Sequence, residues 1–301
     1  MTHVLTFVAS DYSLLDLMRA THRVLGEQHA RIERIDWLNP GRACDILFAD
    51  ADPARVEAAV RAMVGSATVD LAVQPAEGRR KKLLVADMES TVIQNEMLEE
   101  LADFVGLRAQ VESITTRAMN GELDFRAALI ERVALLRGLP AQVLDDCREV
   151  IRFDPGARVL VETLRAHGAY CAMVTGGFTC FADWVAERVG FDYCQANVLQ
   201  LEGGKLSGEV AEPIQGKEAK LAALETLAAE LGLTPADAVA VGDGANDLPM
   251  LAAAGLGVAF HGKPSVAAVA RFRVDHGDLS TLLYFQGYRR GELHGGDTKT
   301  R

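Results

Sequence analysis

At 301 residues, 49% hydrophobic and 24% charged, the chain has globular composition and length for one large domain or two to three modest ones. A formal net charge of −11 excludes a general nucleic-acid or anionic-membrane binder, because phosphate backbones demand clustered Lys and Arg. Five scattered cysteines with no CxxC pair, no basic leader at the start and no run of about 18 uninterrupted apolar residues predict a cytoplasmic chain with free thiols and no membrane span.

In chain order, residues 3–9 read as a strand, 14–26 as a helix, 31–38 and 42–50 as strands, 53–65 as a helix and 69–75 as a strand. Asn39-Pro40-Gly41 supplies the turn between the middle strands. This βαββαβ order predicts a ferredoxin-like domain over residues 1–77. The polar GRRKK, residues 78–82, reads as a linker. After the apolar run KLLVADM, residues 82–88, come four helical stretches near 95–105, 109–120, 125–136 and 141–150. From Pro155 the pattern alternates: helix to 167, strand 170–176, helix to 189, a hairpin-like 191–210, helix 218–231, strand 238–243, helix 247–254 and strand 256–260. Alternation of this kind predicts a parallel sheet covered on both faces. Residues 286–301 are expected to form a tail, frayed from Gly291.

Chemistry gathers where strands hand over to helices. Asp87 and Glu89 end the run KLLVADMEST, at the carboxyl edge where open α/β sheets bind ligands. In VTGGFT, Thr175 and the Gly176 amide end a second strand and face a helix start. In VGDGANDLPM, Asp243 and Asp247 flank Gly244 and Asn246 after a third, and hard oxygen ligands on flexible turns suit Mg²⁺. Lys220 lies in an amphipathic helix, with Lys217 as a competitor for its role. Alone, each has a structural reading: the acids as turn or cap residues, the glycines as a strand-to-helix turn, the lysines as solvated charges. Together they are the kit for phosphoryl transfer. Asp87 would be the nucleophile and Glu89 the acid–base group, with Lys220, Thr175 and Gly176 holding phosphate oxygens.

DMEST, VTGG, the lysine and GDGANDLPM resemble motifs I to IV of the haloacid dehalogenase superfamily. Residues 82–285 resemble more closely its phosphoserine phosphatases. The resemblance implies a Rossmann-like α/β core with a parallel sheet, and a helical-bundle cap of the C1 type, about residues 94–151, inserted after the first core strand. It implies hydrolysis of O-phospho-L-serine, the last step of serine biosynthesis. Asp87, the Glu89 backbone carbonyl and Asp243 would bind Mg²⁺, with Asn246 and Asp247 supporting the metal or its waters. Glu96, nine residues after Asp87, would meet the substrate ammonium and Arg132 its carboxylate, while Met119 and Phe125 would line the pocket from the cap. The front segment resembles the small amino-acid-binding domain of the ACT type, implying an amino-acid ligand there and a homodimer.

One position departs from the family pattern: Glu89 stands where Asp is usual. The extra methylene displaces the carboxylate by roughly 1.5 Å. Three readings stay open: a phosphoserine phosphatase whose loop has adjusted, a phosphatase or phosphotransferase for another small phosphomonoester, and an amino-acid-binding regulator with an impaired catalytic half.

Overall fold

The structure, a computed structural model, describes residues 1–9, 14–119 and 122–295; the side chains of Ala118 and Met119 fall outside that description. The chain opens with β1 (His3–Ala9), α1 (Leu14–Glu27), β2 (Arg31–Asn39), β3 (Ala43–Ala49), α2 (Pro53–Val64) and β4 (Val69–Pro75). The strands form an antiparallel sheet in the order β2-β3-β1-β4, the ferredoxin-like arrangement expected from the element order. Alternation along β1 sends Leu5, Phe7 and Ala9 to one face, into a core shared with Leu14, Leu17 and Leu25 of α1 and Val56 and Val60 of α2.

The remainder begins with β5 (Leu83–Ala86), then four helices, α3 (Met97–Phe104), α4 (Arg108–Met119), α5 (Phe125–Ala134) and α6 (Gln142–Arg148). There follow α7 (Ala157–Ala166), β6 (Tyr170–Phe178), α8 (Thr179–Val189), β7 (Tyr193–Asn197), β8 (Leu199–Glu202), β9 (Lys205–Val210) and α9 (Lys217–Glu230). The last elements are β10 (Ala238–Gly242), α10 (Leu248–Ala253), β11 (Leu256–Phe260), α11 (Pro264–Ala267), β12 (Phe272–Val274) and α12 (Thr281–Phe285). Six strands pair in parallel in the order β12-β11-β10-β5-β6-β7. Along β5, Leu84 and Ala86 share a core with Leu160 of α7 and Phe181 of α8, whereas Leu83 and Val85 share one with Leu224 and Leu227 of α9. Burial on both faces is why this strand reads as an uninterrupted apolar run. The chain leaves β5 toward β6 on one side and returns to β10 on the other. The carboxyl ends of β5 and β10 therefore flank the topological switch point, the ligand position of such sheets.

Two stretches differ from expectation. Within 191–210 only β8 and β9 form a hairpin, while β7 joins the core sheet as a parallel edge strand. Gly203 and Gly204, both at positive φ, make the tight turn of the shorter hairpin. Residues 286–295 do not trail off. Gln286 and Tyr288 are buried, the Gln286 side chain accepts the Lys81 N–H (2.9 Å), and the His294 N–H donates to Thr163 (2.8 Å). A Gly- and charge-rich composition concealed this packing; residues 296–301 lie outside the described part.

The second face of the front sheet is also covered. Val8, Leu38, Ala43 and Ala72 belong to the same core as Tyr284 and Phe285 of α12. Polar pairs tie the seam: Asn39 donates to the Tyr284 hydroxyl (2.8 Å) and Gln74 to the Phe285 carbonyl (2.7 Å). The buried Asp70 carboxylate accepts the successive backbone N–H groups of Asp275 (2.7 Å), His276 (3.2 Å) and Gly277 (2.7 Å). Three donors converging on one carboxylate satisfy its hydrogen-bonding capacity. Among the described residues no helix is long and apolar enough to cross a membrane.

Candidate active site

Asp87 follows β5 directly, and its N–H donates to the Val241 carbonyl of β10 (3.0 Å), so the neighbouring strand fixes where the chain leaves the sheet. One Asp87 oxygen accepts the Met88 N–H (2.8 Å) and the other pairs with Lys220 Nζ at 2.7 Å. Lys220 reaches up from α9, is 1% exposed, and also contacts Asp247 Oδ1 at 2.6 Å. Burial alone would lower the Lys220 pKa, but Asp87 and Asp247 outweigh it and keep the ammonium charged. Lys217, the competitor, is exposed and faces Glu218.

Asp247 precedes α10, and its second oxygen accepts the Gly244 N–H (2.9 Å). The carboxylate packs so closely on Gly242 that a Cβ there would lie 2.3 Å from Asp247 Cγ, which is why glycine ends β10. Burial, reinforced by the Asp87 charge, pushes the Asp247 carboxyl up to about 7 despite Lys220. Oxygens from Asp87, Asp243 and Asp247 lie within 4.8 Å of one another. Such a cluster of hard donors, short of cations, fits a hard divalent ion. Asp87 and Asp247 each have both oxygens engaged by protein groups, whereas among the described residues the Asp243 carboxylate meets only a lysine at 3.3 Å, so Asp243 presents the freest oxygens.

Above the carboxylates opens a cavity of about 390 Å³. Asp87, Glu89, Thr175, Gly176, Asp243 and Asn246 line it from the sheet side, and Glu96, Phe125 and Arg132 line it from the helices inserted after β5. Phe125 lies against Gly176, where a Cβ would come 3.2 Å from the ring, so the inserted helices stand closed over the sheet edge. The Thr175 hydroxyl accepts the Gly177 N–H (2.9 Å), and Asn197 donates to the Gly176 carbonyl (2.7 Å), which together hold the turn. Met119 ends α4, and its side chain lies outside the described residues.

The longer acid at position 89 has a built place. Glu89 Oε1 accepts the Met97 N–H (2.8 Å), the first amide of α3, a helix with no capping side chain at Glu96. Its other oxygen lies against Gly177, where a Cβ would stand 3.2 Å away. Burial, then the Glu96 and Asp87 charges, push the Glu89 carboxyl up to about 8, with the Met97 N–H pulling the other way. Glu96 accepts the Ser90 hydroxyl (2.8 Å). Arg132 donates Nε–H to the Ala128 carbonyl (3.2 Å) and forms no ion pair among the described residues, leaving the rest of its guanidinium for a ligand.

Three features in or beside the cavity escaped the sequence reading. Ser90 and Gly177 sit inside the quoted motifs without having been assigned a part. Lys263 lies on the loop after β11 with Nζ 3.3 Å from Asp243 Oδ2; its only signal was that β11 also ends at this sheet edge.

Fold and site together define a Rossmann-like α/β hydrolase with a helical cap over an acidic strand-end site. The family model described as haloacid dehalogenase-like hydrolase matches residues 84–252. A phosphoserine phosphatase of Streptomyces coelicolor is 41% identical over 90% of this chain and 67% of its own length. One of Mycobacterium tuberculosis is 43% identical over 76% of this chain and 56% of its own. The chain thus spans between about half and two thirds of these two relatives. The crystal structure of a probable phosphoserine phosphatase from Vibrio cholerae, in unliganded form, superposes with a TM-score of 0.78 at 34% identity, covering 95% of this chain and 86% of that one. The chain belongs to the haloacid dehalogenase-like hydrolases and, among them, to the phosphoserine phosphatase family.

Proposed function

We propose that the chain hydrolyses O-phospho-L-serine to L-serine and phosphate, the closing step of serine biosynthesis, with Mg²⁺ as cofactor. The observation that carries this is one cavity offering a complement to each substrate group: the acidic strand ends, backed by the buried Lys220 on Asp87, for the phosphate, Glu96 for the ammonium, and Arg132, without an ion pair among the described residues, for the carboxylate. The Asp87 carboxylate attacks phosphorus; the P–O bond to serine breaks, and Glu89 gives its proton to the leaving serine oxygen. Water then attacks the phosphorus of the aspartyl-phosphate, Glu89 takes the water's proton, and the P–O bond to Asp87 breaks. A carboxyl held near 8 carries its proton at neutral pH, as the first step needs. Thr175 and the Gly176 amide hold phosphate oxygens, with Asn246 beside them, and Met119 and Phe125 complete the cap wall. Asp87, the Glu89 backbone carbonyl and Asp243 would hold the Mg²⁺, with Asp247 supporting them. When bound, the ion neutralises charge on the carboxylates and the transferring phosphoryl group.

Residues 1–77 serve in this reading as an ACT-type unit with an amino-acid ligand, residues 82–285 as the phosphatase, and about 94–151 as its cap. Support for the first comes from its strand order, and the open edge of β2 with Ile35 43% exposed suits a homodimer. Five unpaired cysteines fit a reducing cytoplasm. The test is phosphate release from O-phospho-L-serine with Mg²⁺ and with EDTA. Release that depends on the metal is expected, and no release with Mg²⁺ would sink the assignment.

A further inference from the structure

The cavity holds one cation that this mechanism leaves idle. Lys263 follows β11, and its backbone N–H donates to the Asp243 carbonyl (3.0 Å), so the two loops are fixed to each other. Its Nζ lies 3.3 Å from Asp243 Oδ2, with the side chain 55% exposed at the cavity wall. Among the described residues the Asp243 carboxylate has no other hydrogen-bond or ion-pair partner, and Asp243 is buried. Lys263 charge also reaches Glu96 and Asp87. Lys220 differs in kind: it is enclosed and locked between two carboxylates.

We propose that Lys263 is a placeholder cation, which neutralises Asp243 and shields Glu96 while the divalent ion and the substrate ammonium are absent, and withdraws to solvent when they arrive. The inference rests on the reading of Asp243 as a metal ligand. The carboxylates of Asp87, Glu96 and Asp243 line one cavity here, and like charges gathered in this way destabilise an empty site. A half-exposed lysine on a flexible four-carbon stem relieves the repulsion and lets go cheaply. A divalent ion must break that pair or sit beside an ammonium, and both weaken its binding relative to a neutral side chain. The sign separates this role from its rival. If Lys263 merely oriented Asp243 for the metal, its removal would weaken metal binding; a placeholder's removal strengthens it.

The experiment is calorimetric titration of Mg²⁺ into the EDTA-stripped full chain, with no substrate, for wild type, Lys263→Met, Lys263→Arg and Asp243→Asn, alongside melting curves with and without Mg²⁺. Lys263→Met should bind Mg²⁺ roughly tenfold more tightly, the loss of one charge-assisted contact from the metal-free side. It should also melt lower than wild type when stripped and level with it when loaded, while Lys263→Arg follows wild type. Unchanged or weaker Mg²⁺ binding by Lys263→Met overturns the proposal. The Asn variant separates the two readings: if it binds Mg²⁺ as wild type does, Asp243 is no ligand, and the metal-site assignment falls together with the placeholder.

Discussion

Shortening Glu89 tests whether the site is built around the longer acid. In Glu89→Asp the carboxylate retreats by roughly one C–C bond, about 1.5 Å. The contact to the Met97 N–H, now 2.8 Å, then falls out of hydrogen-bond reach. The first amide of α3 loses its acceptor, at a cost of about 1–2 kcal/mol. Proton delivery is displaced by the same distance, which is worth on the order of 100-fold in kcat. Glu89→Gln behaves differently: its amide oxygen still accepts from Met97, so the fold is spared, but no proton can be delivered, at a cost of roughly 10²–10⁴-fold. Activity on phosphoserine should therefore run Glu, Asp, Gln in falling order, whereas melting temperature should run Glu level with Gln and Asp below. Steady-state phosphate release and thermal melts measure both orders. p-Nitrophenyl phosphate adds a control, since its leaving group departs without a proton and should lose less in the Gln variant. An Asp variant as active as wild type, or more so, would refute the reasoning and mark the natural glutamate as an impairment.

Asp87→Asn removes the attacking charge while keeping size, so turnover should fall by several orders of magnitude; a variant that kept most activity, with deamidation excluded by mass spectrometry, would end the covalent mechanism. Arg132→Ala and Glu96→Gln should each lower kcat/KM for phosphoserine by about ten- to hundredfold and spare p-nitrophenyl phosphate, and equal losses on both substrates would make the pair structural. Stability should also depend on pH. Asp247 and Glu89 sit above the ordinary carboxyl range, at about 7 and about 8, so protonation favours the folded state, and that stability is lost as pH rises through those values. Metal-free protein should melt lower at pH 9 than at pH 6, with Mg²⁺ reducing the difference; a flat or rising metal-free profile would contradict this.

Much of the cavity floor was legible because the physics is local. Apolar runs such as KLLVA and AVAVG must be strands buried on both faces, and the acids following them must then lie at one sheet edge. Glu96 and Arg132 were legible only through resemblance, since nothing in their helices distinguishes them from solvated charges. Lys263 was missed because its meaning arises from how a loop folds back on Asp243. The seam was missed for another reason. Thr6, Asp45, Asp70 and Gln74 alternate with apolar residues as a solvent-facing strand side does. Their partners are one another, the linker, as in the Arg79–Asp45 pair, or residues more than 200 positions away.

That seam changes what the linker is for. Gln74, Asp70, Asn39 and Arg42 reach residues 275–285 without help from the polypeptide between residues 76 and 82, so connectivity there is close to incidental for the folded molecule. A chain cut beside the exposed Gly78 should remain a single particle, its two pieces co-purifying as a reconstituted pair. The same two pieces expressed from separate genes should find each other as a split enzyme does, whereas the larger piece alone would present Tyr284, Phe285 and the 275–277 amides to water.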